Sequence, residues 1–128
     1  MQNMETSSLE IETYVRGYHA YKNIWNPKLG EVLVAERESD NSYDKFAVAV
    51  KKNGQVVGHL KKGKSGWFSK SISYFLKYPK SSCHIEITGK KANLGDKQGL
   101  QVPCTVKLNG HSVHIQRLKN ILEEKNEL

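Results

Sequence analysis

The sequence has few of the features that mark secreted, disulfide-bonded or membrane-spanning proteins. Its 128 residues include only two cysteines, Cys83 and Cys104. No apolar run approaches the roughly 18 residues of a membrane span, and the N-terminus lacks the basic-then-apolar pattern of a signal peptide. We therefore expect an intracellular protein that does not associate with membranes, in which both thiols are reduced and buried.

The sequence also lacks a recognisable metal or nucleophile motif. The candidate ligands Cys83-His84, Cys104, His111 and His114 do not form the short cysteine or histidine pairs that zinc sites favour. Neither thiol can be assigned a base and an orienting group. We expect no metal, no cofactor and no catalytic residue, so the chain is predicted not to be an enzyme.

Positive charge is concentrated in one part of the chain. The formal net charge is +7, yet residues 51–91 hold ten lysines against a single acid, Glu86. Such a block attracts polyanions such as nucleic acids. A solvated lysine-rich face is the alternative reading of the same pattern.

Alternating apolar residues predict an all-β fold with minor α content. The clearest alternation runs from Leu100 to Leu108, and a helix is predicted from about Gly66 to Lys77. Leu118, Ile121 and Leu122 indicate a short C-terminal helix. A small, mostly antiparallel barrel of six to seven strands accounts for these elements, because closure removes exposed strand edges. We assign residues 9–122 to this domain, 1–8 to a flexible tail and 123–128 to a charged tail that frays.

Two Asn-Gly pairs predict tight hairpin turns, since both residue types tolerate positive φ. The first, Asn53-Gly54, joins a strand from Phe46 to Val50 to a returning strand, and its register places His59 on the face of Val48 and Val50. The second, Asn109-Gly110, is expected to turn the chain so that Val113 faces Val106 and Ile115 faces Cys104.

Residues 58–65 read GHLKKGKS and fit the phosphate-loop pattern G-x-x-x-x-G-K-S/T. The preceding strand belongs to an Asn-Gly hairpin, whereas nucleotide-binding sheets of this type are parallel. The 63 residues after Ser65 are too few for several more βα units. We therefore expect no ATP site here.

The segment from Asn41 to Leu60 combines an aromatic ring, a carboxylate, an imidazole and lysines near one hairpin. Tyr43-Asp44 can be a simple turn, with Asp44 capping the local backbone. Alternatively, an exposed Tyr43 stacks on a base and Asp44 accepts a hydrogen bond from a terminal 3′-hydroxyl. Lys61, Lys62 and Lys64 would neutralise phosphates, which position a strand without reading its sequence.

The same residues resemble the HIRAN domain family. The likeness rests on GE-x-L at 30–33, N-x-YDKFAVAV at 41–50 and VGHLKK at 57–62. It implies an OB-like barrel that recognises the free 3′-OH end of single-stranded DNA, as in proteins of DNA repair and replication-fork remodelling. It further implies a nuclear location, a larger translocase or repair protein as partner, and a monomeric state.

Carried over residue by residue, the resemblance gives each member of the motif a role. Tyr43 stacks on the terminal base, Asp44 binds the 3′-OH, and Lys62 contacts phosphate. Asn41 and His59 line the pocket, although His59 can equally be a histidine at the barrel end whose ring bonds a backbone carbonyl.

The first strand departs from the family pattern. The DNA-binding member has an Arg-Tyr-Tyr run where this chain reads Tyr18-His19-Ala20-Tyr21. Ala20 cannot stack, and His19 replaces a permanent cation. The candidates for an aromatic-plus-cation clamp on DNA at this position are Tyr21, His19, Lys22 and Arg16. The missing aromatic residue favours a second reading, a HIRAN-type protein-interaction or adaptor domain without DNA binding.

Overall fold

A computed structural model describes residues 5–89, 92–93 and 100–128, apart from the side chains of His19, residues 92–93 and Leu100. The prediction of an all-β fold with minor α content is confirmed. In chain order, the elements are β1 (Thr6–Arg16), α1 (Tyr18–Tyr21), β2 (Val32–Arg37), β3 (Val48–Lys52), β4 (Gln55–Leu60), α2 (Trp67–Phe75), β5 (Ser82–Ile87), β6 (Ala92–Asn93), β7 (Leu100–His111) and α3 (Ser112–Glu124).

Six of these strands close into an antiparallel barrel. Their order around the barrel is β1-β4-β3-β2-β5-β7, and pairing of β1 with β7 completes the ring, while the short β6 adds to β7. The β1–β7 pair runs from Thr6 opposite His111 to Val15 opposite Val102. The β1–β4 seam is much shorter and pairs Val15 with Leu60 and Arg16 with His59. The predicted barrel is therefore confirmed.

The barrel interior is filled by the apolar half of each alternating strand. In β5, Cys83, Ile85 and Ile87 are buried, as the alternation predicts. Cys83 and Cys104 are both free thiols in this core, and burial raises the pKa of each to about 12. Their burial confirms the expectation from the sequence.

The two longer helices pack on each other and against the barrel. Helix α2 lies within the predicted range, and it buries Phe68, Ile72 and Phe75. Helix α3 buries Ile115, Leu118 and Leu122. No helix in the described part of the chain is long and apolar enough to cross a membrane.

The Asn53-Gly54 hairpin is confirmed, but its register differs from the prediction. Both residues have positive φ, 52° at Asn53 and 81° at Gly54, as a primed two-residue turn requires. A bulge then shifts the register, so that His59 lies opposite Ala49. The prediction that His59 shares the face of Val48 and Val50 was wrong, because one extra residue moves it to the other face. Strand β3 also begins two residues later than predicted, which leaves Phe46 in a turn.

The predicted Asn109-Gly110 turn is absent, because both residues continue strand β7. They pair with Ser8 and Ser7 of β1, and neither has positive φ. A Cβ at Gly110 would lie 3.0 Å from Cζ of Phe75, so the glycine serves close packing against α2. The strand expected to follow the turn is helix α3 instead.

Both ends of the described chain contact the rest of the domain. Strand β1 begins at Thr6, inside the segment expected to be a tail. At the other end, Glu127 is only 5% exposed. Its carboxylate accepts hydrogen bonds from the backbone N–H groups of Lys64 (3.1 Å) and Ser65 (3.2 Å) and from the Ser65 hydroxyl (2.9 Å). The last residues of the chain thus contact the loop before α2.

Candidate nucleic-acid interface

A pocket of about 280 Å³ opens at one end of the barrel, where the end of β1, the end of β4 and the β2–β3 connection meet. We call it the corner pocket. This volume is near the lower end for small-molecule sites. Its lining combines two cations, one carboxylate, an imidazole and a phenol with backbone and apolar groups: Arg16, Gly17, Asn41, Tyr43, Asp44, Ala47, His59, Leu60 and Lys62.

The Asn41–Asp44 corner is built by side-chain hydrogen bonds to its own backbone. Asn41 Oδ1 accepts from the N–H groups of Tyr43 (2.9 Å) and Asp44 (3.0 Å). Asp44 Oδ1 accepts from the N–H of Phe46 (2.9 Å). These bonds are the asparagine and aspartate turns that the residue types favour, and they fix the direction in which Tyr43 and Asp44 project.

The ring of Tyr43 is 98% exposed. The backbone around Tyr43 forms the turn that the sequence predicts. The Tyr43 ring itself does not pack against the end of the barrel. A large aromatic side chain held in water on a rigid turn is available for stacking on a planar ligand.

A polar network connects His59 to the corner through Glu38. One oxygen of Glu38 accepts from Asn41 Nδ2 (2.8 Å) and also lies 2.9 Å from His59 Nε2. Burial raises the pKa of Glu38, but the hydrogen bonds from Asn41 and His59 together lower it by more, so it lies below its usual range. The partner of His59 is thus a carboxylate rather than a backbone carbonyl.

Lys62, one of the two cations of the corner pocket, is largely exposed and pairs only weakly with Asp44. Lys62 Nζ lies 3.8 Å from Asp44 Oδ2, and its side chain is 63% exposed. An exposed pair at that distance is weak, at most about 1 kcal/mol. Asp44 Oδ2 therefore remains open to another donor, and Lys62 is free to bind an anion.

Arg16 reaches the pocket because β1 and β4 approach closely at Gly58. A Cβ at position 58 would collide with the Val15 side chain and lie 2.9 Å from the backbone oxygen of Arg16. The glycine permits this contact, and the register then sets Arg16 opposite His59.

Five of the eight residues predicted for the site line the corner pocket: Asn41, Tyr43, Asp44, His59 and Lys62. Tyr21 lies on the other side of His59, with ring centroids 6.5 Å apart, in an adjoining depression. Lys61 points elsewhere, because its Nζ lies 4.8 Å from the ring centroid of Phe68. His19 belongs to α1, and its side chain lies outside the described residues.

Glu38 was missing from the predicted site, and Arg16 was named only as a candidate clamp cation, without a place in the pocket. The β1–β4 register that places Arg16 joins strands far apart in the chain, so no local pattern shows it. Glu38 lies three residues before Asn41, which is the one local signal of their contact.

The phosphate-loop pattern does not form a nucleotide cradle. Strand β4 is antiparallel to both neighbours, and the loop donates the N–H groups of Lys64 and Ser65 to Glu127. Burial raises the pKa of Glu127, but the hydrogen bonds from Ser65 and the neighbouring backbone lower it by more. The loop and the start of α2 thus already hold an anion from the same chain.

The closed six-stranded barrel with a polar pocket at one end defines a small β-barrel domain of the OB-like type. The chain matches the family model of the HIRAN domain over residues 8–108. It therefore belongs to the HIRAN domain family, as the resemblance of residues 30–62 indicated.

Solved structures support the same fold. The crystal structure of the HIRAN domain of human HLTF is similar with a TM-score of 0.69 and 21% identity, covering 91% of each chain. The DNA-bound conformation of the HLTF HIRAN domain has a TM-score of 0.63 and 22% identity, covering 90% of this chain and 86% of that one. A protein from Lactobacillus plantarum has a TM-score of 0.55 and 15% identity, covering 84% of this chain and 100% of that one. Among curated proteins, no relative matches the sequence.

Proposed function

We propose that this chain is a nucleic-acid-binding module whose corner pocket holds the 3′ end of single-stranded DNA. The observation that carries the proposal is the pairing of a fully exposed Tyr43 ring with the adjacent Asp44 carboxylate, beside Lys62 and Arg16. The DNA-bound HLTF HIRAN domain supports binding of DNA on this fold.

Each group has a distinct task in this proposal. Tyr43 stacks on the terminal base, a contact worth about 1–3 kcal/mol. Asp44 Oδ2 accepts a hydrogen bond from the 3′-hydroxyl. Lys62 and Arg16 neutralise the phosphate that links the last nucleotides. A 3′-phosphate is disfavoured, because it would meet the negative charges of Asp44 and Glu38.

The cellular setting follows from this activity. We propose that the module acts as a monomer in the nucleus, in repair or replication-fork remodelling, and that it delivers DNA ends to a larger translocase. Any ATP-driven step would then belong to that fused or partner protein.

A second candidate is a protein-interaction domain that has lost DNA binding. It is favoured by Ala20, which is exposed where the resemblance places an aromatic residue. A domain of this kind would bind no oligonucleotide with a steep salt dependence.

Fluorescence polarisation with linear and circular single strands tests the proposal. We expect unlabelled linear strands with a free 3′-OH to displace a labelled 12-nucleotide strand at much lower concentration than circles of the same sequence. Equal competition by circles would refute end recognition. Absence of salt-sensitive binding to either form would favour the protein-interaction domain.

A further inference from the structure

Lysines and aromatic rings contact one another on a surface formed by α2, by Lys77 just after it and by Phe46 in the turn before β3; Tyr74 and Lys77 are exposed and the other side chains are half-buried. Lys70 Nζ lies 4.4 Å from the ring centroid of Trp67 and 5.0 Å from that of Phe46. Lys77 Nζ lies 4.9 Å from the ring centroid of Tyr74, and Tyr74 packs on Phe46 with centroids 5.4 Å apart. We call these five residues the lysine–aromatic surface.

This surface is continuous with the corner pocket. Phe46 is bonded through its N–H to Asp44 Oδ1 at 2.9 Å, so the surface starts at the turn that positions the pocket carboxylate. Lys45 adds a further ammonium group 5.3 Å from the ring centroid of Phe46. A strand that leaves the pocket on this side would meet cations immediately.

The rings on this surface hold cations rather than offering bare faces for bases. Both Trp67 and Phe46 have ammonium groups against them, and Lys125 also lies 4.9 Å from the ring centroid of Trp67. Cation–π contacts of this kind restrict the lysine side chains. The arrangement therefore presents positioned positive charges that can contact phosphates without regard to base identity.

The charged side chains in this part of the chain are all positive. Residues 45–85 contain no Asp or Glu. Lys70 lies within α2, and Lys77 lies two residues beyond the last residue of that helix, Phe75. A surface whose charges are all of one sign attracts the backbone of a nucleic-acid strand.

We propose that the lysine–aromatic surface binds the phosphodiester backbone of the strand that enters the corner pocket, on the 5′ side of its terminus. The inference rests on the proposed function, which supplies the terminus. It adds a sequence-independent extension of the site, with Lys70 and Lys77 as the phosphate contacts. An acidic protein segment is the competing occupant that the test must separate.

The test compares Lys70→Gln/Lys77→Gln with a charge-matched control, Lys28→Gln/Lys119→Gln. Both control lysines are exposed, and Lys119 lies on a different flank of α3 from the residues that contact α2. Affinities for 3-nucleotide and 12-nucleotide strands with 3′-OH ends are measured by polarisation at several salt concentrations. Thermal melts verify that both variants fold.

We expect the surface variant to bind the 3-nucleotide strand as the wild type does and to lose most of the gain in affinity on going to 12 nucleotides. Its plot of log affinity against log salt for the longer strand should be shallower by about 1.4, which is two contacts at about 0.7 each. The control variant should change neither the gain in affinity with strand length nor the salt slope by as much.

The inference would be overturned if the surface variant kept both the gain in affinity from 3 to 12 nucleotides and the salt slope of the wild type. That result would leave the 3′-OH preference of the pocket intact. A length gain that depends on Lys70 and Lys77 without any 3′-OH preference would overturn the proposed function instead. Competition by polyglutamate as strong as that by the oligonucleotide, at equal charge, would contradict a phosphate-specific surface.

Discussion

Replacement of Glu127 by glutamine tests how the C-terminal residues hold the start of α2. The carboxylate accepts three hydrogen bonds from Lys64 and Ser65, at 2.9–3.2 Å, and hydrogen bonds to a charged group are worth about 1.5–3 kcal/mol each. The glutamine amide keeps one oxygen as an acceptor, but its NH₂ group replaces the other oxygen and faces N–H or O–H donors of Lys64 and Ser65. We therefore expect Glu127→Gln to lower the free energy of unfolding by about 2–3 kcal/mol. For a chain of this length that is a fall of roughly 6–15 °C in Tm.

The effect should depend on pH with a definite sign. The folded-state pKa of Glu127 lies below its ordinary value of 4.5, so its contribution is complete above that value and is lost as the pH falls through the folded pKa. The Tm difference between the wild type and Glu127→Gln, measured by circular dichroism, should therefore narrow below about pH 4.5. Glu124→Gln, which alters an exposed residue of α3, should change stability by less than about 0.5 kcal/mol. An equal effect of the two substitutions, or a gap independent of pH, would refute the reasoning.

Three further outcomes follow from the structure. Tyr43→Ala should weaken binding of single-stranded DNA by about 1–3 kcal/mol without lowering Tm, whereas Tyr43→Phe should bind nearly as the wild type does; polarisation and melting curves check both. Gly58→Ala should cost about 1–3 kcal/mol of stability in chemical denaturation, because its Cβ meets Val15, and a neutral result would contradict the close β1–β4 approach. Cys83 and Cys104 should resist thiol reagents in the native protein and react fully in denaturant; fast native labelling would contradict their burial.

Much of the fold could be predicted because alternation and turn chemistry act locally. Strand β5 and the central part of β7 follow from period-two patterns, and Asn53-Gly54 forms the expected turn. The same dipeptide at Asn109-Gly110 failed as a turn signal. There, pairing with β1 extends the strand. The close contact of Gly110 with Phe75 is possible because glycine has no Cβ. Tertiary pairing thus overrode a local preference, which a single sequence cannot reveal.

Most residues of the candidate site could be named from the sequence, but their arrangement could be predicted only at the Asn41–Asp44 corner. The Asn41–Asp44 corner is a local unit closed by its own hydrogen bonds, and the motif identifies it. His59 depends on a bulge in β4, Arg16 depends on a seam between distant strands, and Glu38 depends on its contacts with His59 and Asn41. These placements require the closed barrel, so the sequence named some of the side chains without showing how they meet.

The most direct test of 3′-end recognition is the affinity of the wild type and of Asp44→Asn for strands that end in 3′-OH or 3′-phosphate. Asparagine retains an oxygen for the Phe46 N–H, so the turn should survive while the charge is removed. We expect the wild type to prefer the 3′-OH strand by about 1.5–3 kcal/mol, and Asp44→Asn to lose most of that preference. Equal affinity of the wild type for both ends, or a preference that survives in Asp44→Asn, would contradict the proposed role of the corner pocket.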